Sequence, residues 1–314
     1  MPPELVAEVV RSGMVESIHY GSVVALNPDG SVAFAIGATD VPMYPRSANK
    51  PAQAAAMVRQ GLPLDGELLA LAASSHSGED FHLKGTQRIL AAADVPESAL
   101  QNTPGWPIDE VAQLAYIRRG NDRSALADNC SGKHAAMLVT CAVNGWPTNT
   151  YRDPEHPLQV AIATELATLA GEAVAHTGMD GCGAPLFALS LTGLARSFRS
   201  LALGQPGSPG RQVVEAIQAH PQWASGTARD EARLIRGIPG LFGKAGAEGV
   251  YAVTLDDGRA VALKIADGQA RARPVVMAAA LRRLGLEYPV LADLSHVPVL
   301  GHDEPVGEIR GTAF

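Results

Sequence analysis

The chain has 314 residues, of which 46% are hydrophobic and 18% are charged. This length and composition allow a sizeable buried core and exclude both intrinsic disorder and a coiled coil. The formal net charge is −7 at pH 7 and no run of Lys and Arg exists, so neither nucleic acid nor an anionic membrane is expected as a partner.

No apolar stretch of the sequence reaches the length of a membrane span. The N-terminal segment carries Glu4 and Glu8 where a signal peptide would have basic residues and an apolar core. The three cysteines, Cys130, Cys141 and Cys182, form an odd number in a large chain. We therefore expect reduced thiols without a disulfide framework, and a cytoplasmic location.

The first two thirds of the chain begin with a hairpin pattern and continue with helical patterns. Short β-prone runs at 22–26 and 32–36 flank Asn27-Pro28-Asp29-Gly30, which has the residues of a tight turn. Helices are predicted over 52–61, 64–73, 80–93, 132–144, 157–170 and 185–202, with one or two more up to about 236. The segment 176–185, HTGMDGCGAP, predicts a glycine-rich loop.

The last third changes to a strand pattern. Three strands are predicted over 238–246, 248–255 and 259–265, and Asp256-Asp257-Gly258 predicts a hairpin turn between the last two. A helix is predicted over 272–285, which ends at a glycine.

Strands at both ends and helices in the middle predict an α+β fold, with one domain over residues 1–314. An antiparallel sheet lobe would comprise about 15–45 and 238–314, and a helical insertion lobe would comprise about 46–237. A cleft is expected between the two lobes.

Ser47-Ala48-Asn49-Lys50 is the only S-x-x-K sequence in the chain, and it stands at the start of a helical pattern. At this spacing the hydroxyl and the amine lie on one face, one helical turn apart. A lysine with a lowered pKa can activate a serine as a nucleophile, and a helix N-terminus offers N–H groups to an oxyanion. An N-cap serine followed by a solvated lysine is the alternative.

Two further segments carry polar groups that a cleft could use. Ser74-Ser75-His76-Ser77 lies on a turn between helices, and Lys244-Ala245-Gly246 lies on a predicted strand whose small residues allow close approach. Each also fits a plainer role, as a helix cap or a surface lysine. Together with the S-x-x-K helix, the two segments resemble the plan of serine β-lactamases and penicillin-binding proteins.

Five segments in order give a narrower resemblance, to the L-asparaginase II family of thermolabile, Rhizobium-type amidohydrolases. They are RSANKPAQA (46–54), SSHSGEDFH (74–82), DNCSGKHAAML (128–138), GMDGCGAPLFAL (178–189) and GKAGAEGVYAV (243–253). The resemblance covers roughly residues 16–310. It implies hydrolysis of L-asparagine to L-aspartate and ammonia, a fold related to serine β-lactamases and a class of glutaminases, and a homodimer.

The resemblance also implies catalytic roles. Ser47 corresponds to the nucleophile, Lys50 to the base beside it, and Ser75 to a second serine that pairs with a second lysine. That lysine is expected to be Lys244, and Lys264 stays open as the alternative. The second lysine, whichever of the two it is, would relay a proton through Ser75 and help to keep Lys50 neutral. The acyl-enzyme would be an aspartyl ester that water releases.

Substrate-binding residues are expected in the same motifs. Asp180 is a candidate for binding the α-ammonium group through a charge-assisted hydrogen bond, although Asp is also common in glycine-rich turns. His76, Asn129 and Lys264 are assigned to the neighbourhood of the substrate.

Cysteine and lysine residues next to the motifs suggest a zinc site. Thiolates of Cys130 and Cys182 are suitable soft ligands for Zn²⁺. His134 is the conventional nitrogen ligand, because a lysine must first lose its proton. The family resemblance instead implies Cys130, Lys133 and Cys182. Two buried free thiols are the alternative, and Cys141 is expected in the core.

Other functions remain open at this point. A glutaminase or another small-amide or β-lactam-type hydrolase is an alternative, because one methylene in a pocket changes discrimination by only about 1–3 kcal/mol. A non-catalytic ligand-binding module on the same fold is a second alternative. Two Ser/Lys pairs favour the enzyme, since a binding module does not need them.

Overall fold

The structure is a computed structural model that describes residues 2–312 and shows an α+β fold. The strands are β1 (Glu4–Arg11), β2 (Met14–Leu26), β3 (Val32–Ile36), β4 (Pro42–Met43), β5 (His176–Met179), β6 (Pro185–Ser190), β7 (Leu241–Ala245), β8 (Val250–Leu255), β9 (Ala260–Ile265), β10 (His296–Gly301) and β11 (Glu304–Gly311). The α-helices are α1 (Lys50–Arg59), α2 (Gly66–Ala72), α3 (Asp80–Ala91), α4 (Glu110–Arg118), α5 (Ser131–Asn144), α6 (Pro157–Ala170), α7 (Leu191–Ala202), α8 (Pro209–Ala219), α9 (Pro221–Ala224), α10 (Asp230–Gly237), α11 (Arg273–Arg283) and α12 (Pro289–Leu294).

The main sheet joins both ends of the chain. Within residues 2–312 it has eight strands in the order β10-β11-β1-β2-β9-β8-β7, and β3 pairs with β2 beside this path. Strand β2 pairs directly with β9, antiparallel, with Val23 opposite Leu263. The structure therefore confirms an antiparallel sheet built from both chain ends, with the helices inserted between them.

The inner strands of the sheet are covered on both faces. Strands β7 and β8 are buried along every residue, and a strand with one face in water would instead alternate. Helix α7 packs against β2, β8 and β9, and α11 packs against β9 and β11. Phe198 of α7 stacks on Phe242 of β7 with 4.9 Å between ring centroids. The apolar core lies at these contacts.

Most of the predicted elements are present. The hairpin of β2 and β3, the strands β7 to β9, and helices at 50–59, 66–72, 80–91, 131–144, 157–170 and 273–283 agree with the sequence patterns. Helix α5 ends as expected at Gly145, which has a φ of 66° that favours glycine.

The prediction for residues 176–190 was wrong in part. The expected glycine-rich loop contains strand β5, and the first six residues of the expected helix over 185–202 form strand β6. Strands β4, β6 and β5 form a second, three-stranded sheet within the described residues. A short, fully buried apolar run has no periodicity that separates strand from helix, which explains the error. The helix begins only after Ser190, whose hydroxyl accepts from the amide of Gly193.

Four elements had no clear sequence signal. Strand β1 extends the sheet lobe to Glu4 instead of about residue 15, and β10 and β11 add a C-terminal hairpin beside it. Helix α4 buries only Tyr116, so it lacks the apolar stripe that identifies a packed helix.

The two lobes meet where a 3₁₀ helix, Arg46–Asn49, packs against β7 and β8 just before α1. Gly246 allows this close approach: a Cβ there would lie 2.6 Å from the carbonyl oxygen of Pro45 and 3.0 Å from the amide of Ala48. Helices that could cross a membrane by length and hydrophobicity are absent from residues 2–312.

The stacked phenyl rings lead to a stability prediction. Phe198→Ala removes a fully buried ring between helix α7 and the sheet, so we expect a loss of about 3–5 kcal/mol in the free energy of unfolding. Urea denaturation measures this loss. Val111→Ala, at a side chain that is 77% exposed, is the control and should change stability by less than about 0.5 kcal/mol. Equal stability of both variants would contradict this description of the core.

Candidate active site

A cavity of about 360 Å³ opens where the two lobes meet. The helical lobe contributes Ser47, Ser75 and the loops around 128–130 and 180–182, and the sheet lobe contributes residues 245–249. The predicted serines and glycine-rich segments, distant in sequence, therefore face one space.

Ser47 lies in the 3₁₀ helix directly before α1, and its hydroxyl accepts a hydrogen bond from Ser75 Oγ at 3.3 Å. Both serines are more than nine-tenths buried and both line the cavity. Because Ser75 donates to Ser47, the proton of the Ser47 hydroxyl stays available to a base. The residue before Ser47, Arg46, has a φ of 51°, which is uncommon for a residue other than glycine and marks a sharp turn at the serine.

Lys50 is the first residue of α1, one turn after Ser47, and is 1% exposed. Its ammonium group donates to the carbonyl of Ser74 at 2.6 Å and to the sulfur of Cys130 at 3.1 Å. Burial of a charge is costly unless polar partners compensate it, and these two partners do so. Lys50 therefore joins the backbone just before Ser75 to the sulfur of Cys130.

Lys244 of β7 is also 1% exposed, and it pairs with a carboxylate outside the predicted motifs. Its ammonium group donates to Glu231 Oε1 at 2.6 Å and to the carbonyl of Ala245 at 3.0 Å. Arg229 donates to the other oxygen of Glu231 at 2.8 Å. The pKa of Lys244 is lowered to about 8, mainly by burial. The positive charges of Arg229 and Lys50 contribute to this lowering, and the negative charge of Glu231 opposes it.

Lys264, the alternative partner of Ser75, lies elsewhere. It is on β9, and β8 separates that strand from β7. Its ammonium group donates to the carbonyls of Glu248 and Ile265, and it does not line the cavity. Neither Lys244 nor Lys264 forms a hydrogen bond with Ser75 in the described part of the chain; the buried Lys244 is the one that senses the charge of Lys50.

The expected zinc ligands form a second cluster at the edge of the cavity. The thiols of Cys130 and Cys182 lie next to each other, and Lys133 donates to Cys182 at 3.2 Å. The hydrogen bond from Cys130 and the charge of Lys133 lower the pKa of Cys182, so this sulfur has thiolate character. Two adjacent sulfurs and an amine suit a soft metal ion. Within residues 2–312 no group of three or more His, Cys, Asp or Glu could hold a metal; the expected set has only two such residues.

His76 and His134, two of the three histidines in the five motifs, are buried and neutral. Burial lowers the pKa of His134 to about 4; its Nδ1 pairs with the hydroxyl of Tyr151 at 2.7 Å, whereas Nε2 is buried without a hydrogen-bond partner. Burial also lowers the pKa of His76 well below its usual range, and its Nε2 pairs with Ser131 Oγ at 2.9 Å. His76 does not line the cavity. Its hydrogen bond with Ser131 joins the segment around Ser75 to the start of α5.

The expected substrate-binding residues Asp180 and Asn129 do line the cavity. Asp180 Oδ1 accepts from Arg46 at 2.8 Å and from the amide of Gly181 at 2.8 Å, which leaves Oδ2 available to a ligand. Asn129 Oδ1 lies 3.0 Å from the sulfur of Cys130, whose single proton can be donated either to Asn129 or to Cys182. Cys141 lies in the apolar core, as expected.

Sequence reasoning missed the charged residues around the cavity. Arg46, Arg229 and Arg273 line it, and Glu231 is buried behind it. The local sequence offers little to identify these residues. Arg46 stands inside one of the five motifs, and Arg229 and Glu231 stand together at the start of α10. Their position at or behind the cavity identifies them, and that position is a property of the fold.

Comparison with known proteins identifies the class of this site. A family model described as L-asparaginase II matches residues 7–311, so the chain belongs to the L-asparaginase II family. The resemblance drawn from the five sequence segments is thereby confirmed. Membership makes the chain an amidohydrolase, a hydrolase that acts on amides.

Solved structures resemble the chain over most of its length at low identity. A β-lactamase from Mycobacterium bovis is 15% identical, with a TM-score of 0.46 and coverage of 85% of this chain and 95% of that one. A protein named Mglu, in its native form, is 14% identical, with a TM-score of 0.45 and coverage of 84% of this chain and 63% of that one. No curated protein sequence gives a significant match.

The Lys244–Glu231 pair leads to a second stability prediction. Glu231→Gln leaves a buried ammonium group without its counter-charge, which should cost about 3–5 kcal/mol in the free energy of unfolding. The double variant Glu231→Gln/Lys244→Met removes both charges and should recover at least half of that loss. Urea denaturation of the wild type, both single variants and the double variant measures the coupling. Additive losses would show that the two groups do not form an energetic pair.

Proposed function

We propose that this chain hydrolyses L-asparagine to L-aspartate and ammonia through a serine–lysine acyl-enzyme mechanism. The observation that carries the proposal is the hydrogen-bonded pair Ser47 and Ser75 in the cavity, with Lys50 buried one turn after Ser47 and Lys244 buried on the strand that ends at the cavity. Lys244 is buried and its pKa is lowered, and a buried lysine with a lowered pKa beside a cavity is a candidate for proton transfer.

In the proposed first half-reaction, Ser47 Oγ attacks the carbon of the side-chain amide. The O–C bond forms while the hydroxyl proton passes to neutral Lys50, and the amide nitrogen receives a proton as its C–N bond breaks. Ammonia leaves, and an aspartyl ester of Ser47 remains. In the second half-reaction, water attacks the ester, its proton passes to the base, and L-aspartate leaves with the Ser47 hydroxyl restored.

We assign the second lysine to Lys244 and not to Lys264. The pKa of Lys244 is lowered to about 8, so near neutral pH this amine can both accept and return a proton. The charge of Lys50 is one of the causes that lower the pKa of Lys244, so the two lysines interact electrostatically. In this proposal the proton moves between the two lysines through Ser75.

The free oxygen of Asp180 supports its proposed role in binding the α-ammonium group of the substrate. Oδ1 is fixed by Arg46 and Gly181, so Oδ2 is held in place for a charge-assisted hydrogen bond. A glutaminase, with a substrate longer by one methylene, and a non-catalytic binding module are the alternative functions.

We also propose a zinc ion bound by Cys130, Lys133 and Cys182, which would supply a fixed positive charge or Lewis acid beside the cavity. The adjacent sulfurs, and the amine 3.2 Å from Cys182, support this set. His134, whose Nε2 is buried without a hydrogen-bond partner, is the alternative nitrogen ligand. We further propose that the protein is a homodimer and is cytoplasmic. The three cysteines form no disulfide with one another, which is compatible with that location.

Ammonia release tests the activity and the nucleophile together. Wild-type protein should release ammonia from L-asparagine faster than from L-glutamine, and Ser47→Ala should reduce the rate at least about 1,000-fold because no acyl-enzyme can form. Lys50→Ala should lose nearly as much. Ser208→Ala, at a helix cap far from the cavity, is the matched serine control and should keep full activity.

The possible outcomes separate the alternatives. Preference for glutamine would keep the mechanism and change the substrate. Full activity of Ser47→Ala would overturn the assignment of the nucleophile. Folded, zinc-supplied wild-type protein that hydrolyses neither amide would support the binding module.

Elemental analysis tests the zinc proposal. Purified wild-type protein should contain stoichiometric zinc, and Cys182→Ala and Lys133→Ala should lose it, because each removes one ligand. Cys141→Ala, in the core, is the control and should retain zinc. Loss of zinc in His134→Ala with retention in Lys133→Ala would show that histidine is the nitrogen ligand. A metal content unchanged by Cys182→Ala would exclude this site.

A further inference from the structure

Three guanidinium groups line the cavity, and their pairing differs. Arg46 is paired with Asp180, and Arg229 is paired with Glu231, each at 2.8 Å. Arg273 forms no ion pair within residues 2–312. Asp230 and Glu231 sense its charge, but both lie beyond ion-pair distance. Arg273 is therefore the cavity cation whose charge no carboxylate of the described chain neutralises directly.

The hydrogen bonds of Arg273 are also incomplete. Its side chain is only 8% exposed, and one terminal nitrogen donates to the carbonyl of Gly246 at 2.8 Å. Its Nε is buried without a hydrogen-bond partner. A buried donor that lacks an acceptor costs stability, and the cost is larger for a charged group. A ligand that brings an acceptor and a negative charge would remove this cost.

The position of Arg273 in its helix adds to the same cost. It is the first residue of α11, where the helix dipole is positive and disfavours a cation. The first turn of α11 contains no acidic residue that would compensate. Arg273 lies over the ring of Tyr251, 6.0 Å from its centroid, but this contact provides no hydrogen-bond acceptor for Nε, whereas an anionic ligand in the cavity would provide one.

Arg273 is close to the nucleophile through Gly246. The guanidinium group holds the carbonyl of Gly246, and a Cβ on that glycine would lie 3.3 Å from the amide of Ser47. Gly246 therefore lies between Arg273 and the backbone of Ser47, where the acyl ester would form. Asp180, on the loop after β5, lines the same cavity and offers the opposite charge.

We propose that Arg273 binds the α-carboxylate of the substrate and thereby restricts the enzyme to free amino-acid amides. The inference rests on the proposed amidohydrolase activity and extends it to substrate specificity. Arg273 supplies the positive charge and Asp180 the negative charge, so the two ends of a zwitterionic substrate are held while its side-chain amide faces Ser47. An amide that lacks the carboxylate loses one of the two anchors.

The test compares Arg273→Gln with the wild type on two substrates, L-asparagine and 3-aminopropanamide, which is asparagine without its carboxylate. For L-asparagine, Arg273→Gln should lower kcat/KM about 10- to 150-fold, the loss expected for a charge-assisted hydrogen bond. For 3-aminopropanamide, wild type and variant should agree within about 2-fold, because the contact is absent from both. Arg282→Gln, exposed on the same helix, is the control and should resemble the wild type with both substrates.

Equal losses on both substrates would assign Arg273 a merely structural role and overturn the proposal, as would no loss on either. If Arg273→Gln does not fold, Arg273→Lys keeps the charge in a different geometry, and a loss confined to L-asparagine is still expected. Calorimetric binding separates this test from the activity. L-Asparagine should bind Ser47→Ala more tightly than Ser47→Ala/Arg273→Gln even if the wild type hydrolyses no amide; equal affinities would overturn the proposal.

Discussion

Three ammonium groups buried at the junction of the two lobes constrain this protein more than any other feature. The chain has only five lysines, and Lys50, Lys133 and Lys244 are each no more than 2% exposed. Each needs an acceptor from another part of the chain, because a buried charge without a partner would cost several kcal/mol. The acceptors are Cys130 with the carbonyl of Ser74, Cys182, and Glu231. Burial of the three lysines therefore depends on the correct position of the loops and helices that carry these acceptors.

The same junction explains why the reactive groups require both lobes. The helical lobe presents Ser47 and Ser75 to the cavity, whereas the sheet lobe presents residues 245–249, directly after the buried Lys244. Gly246 lets the strand end approach the backbone of Ser47, and Arg273 holds the carbonyl of that glycine. Movement of one lobe against the other would separate the serines from Lys244 and open the cavity. Rigid packing of helix α7 on the sheet, through Phe198 and its neighbours, opposes that movement.

Much of the fold could be predicted from periodicity, and the exceptions have a common cause. The long helices show the helical period of a packed face, and the hairpin of β2 and β3 and the strands β7 to β9 show short β-prone runs bounded by turn residues. Strand β6 is buried along its whole length, so its run of five apolar residues before Ser190 resembles part of the helix that follows. Strands β1, β10 and β11 have exposed faces, and helix α4 buries a single residue, so local sequence gives them little pattern. Their partners along the sheet, not their own residues, fix their conformation.

The sequence by itself determined the family and the residues of the five motifs. Each motif is contiguous, so it can be recognised in the linear sequence without knowledge of the fold. Ser47, Lys50 and Ser75 belong to this group. Only the tertiary structure shows that Lys244 is buried and paired with Glu231 whereas Lys264 is half-buried and bonded to backbone carbonyls. Only the tertiary structure revealed Glu231 and Arg273. A buried charge is recognised by which partners it has and which it lacks, and those contacts join residues that are far apart in the chain.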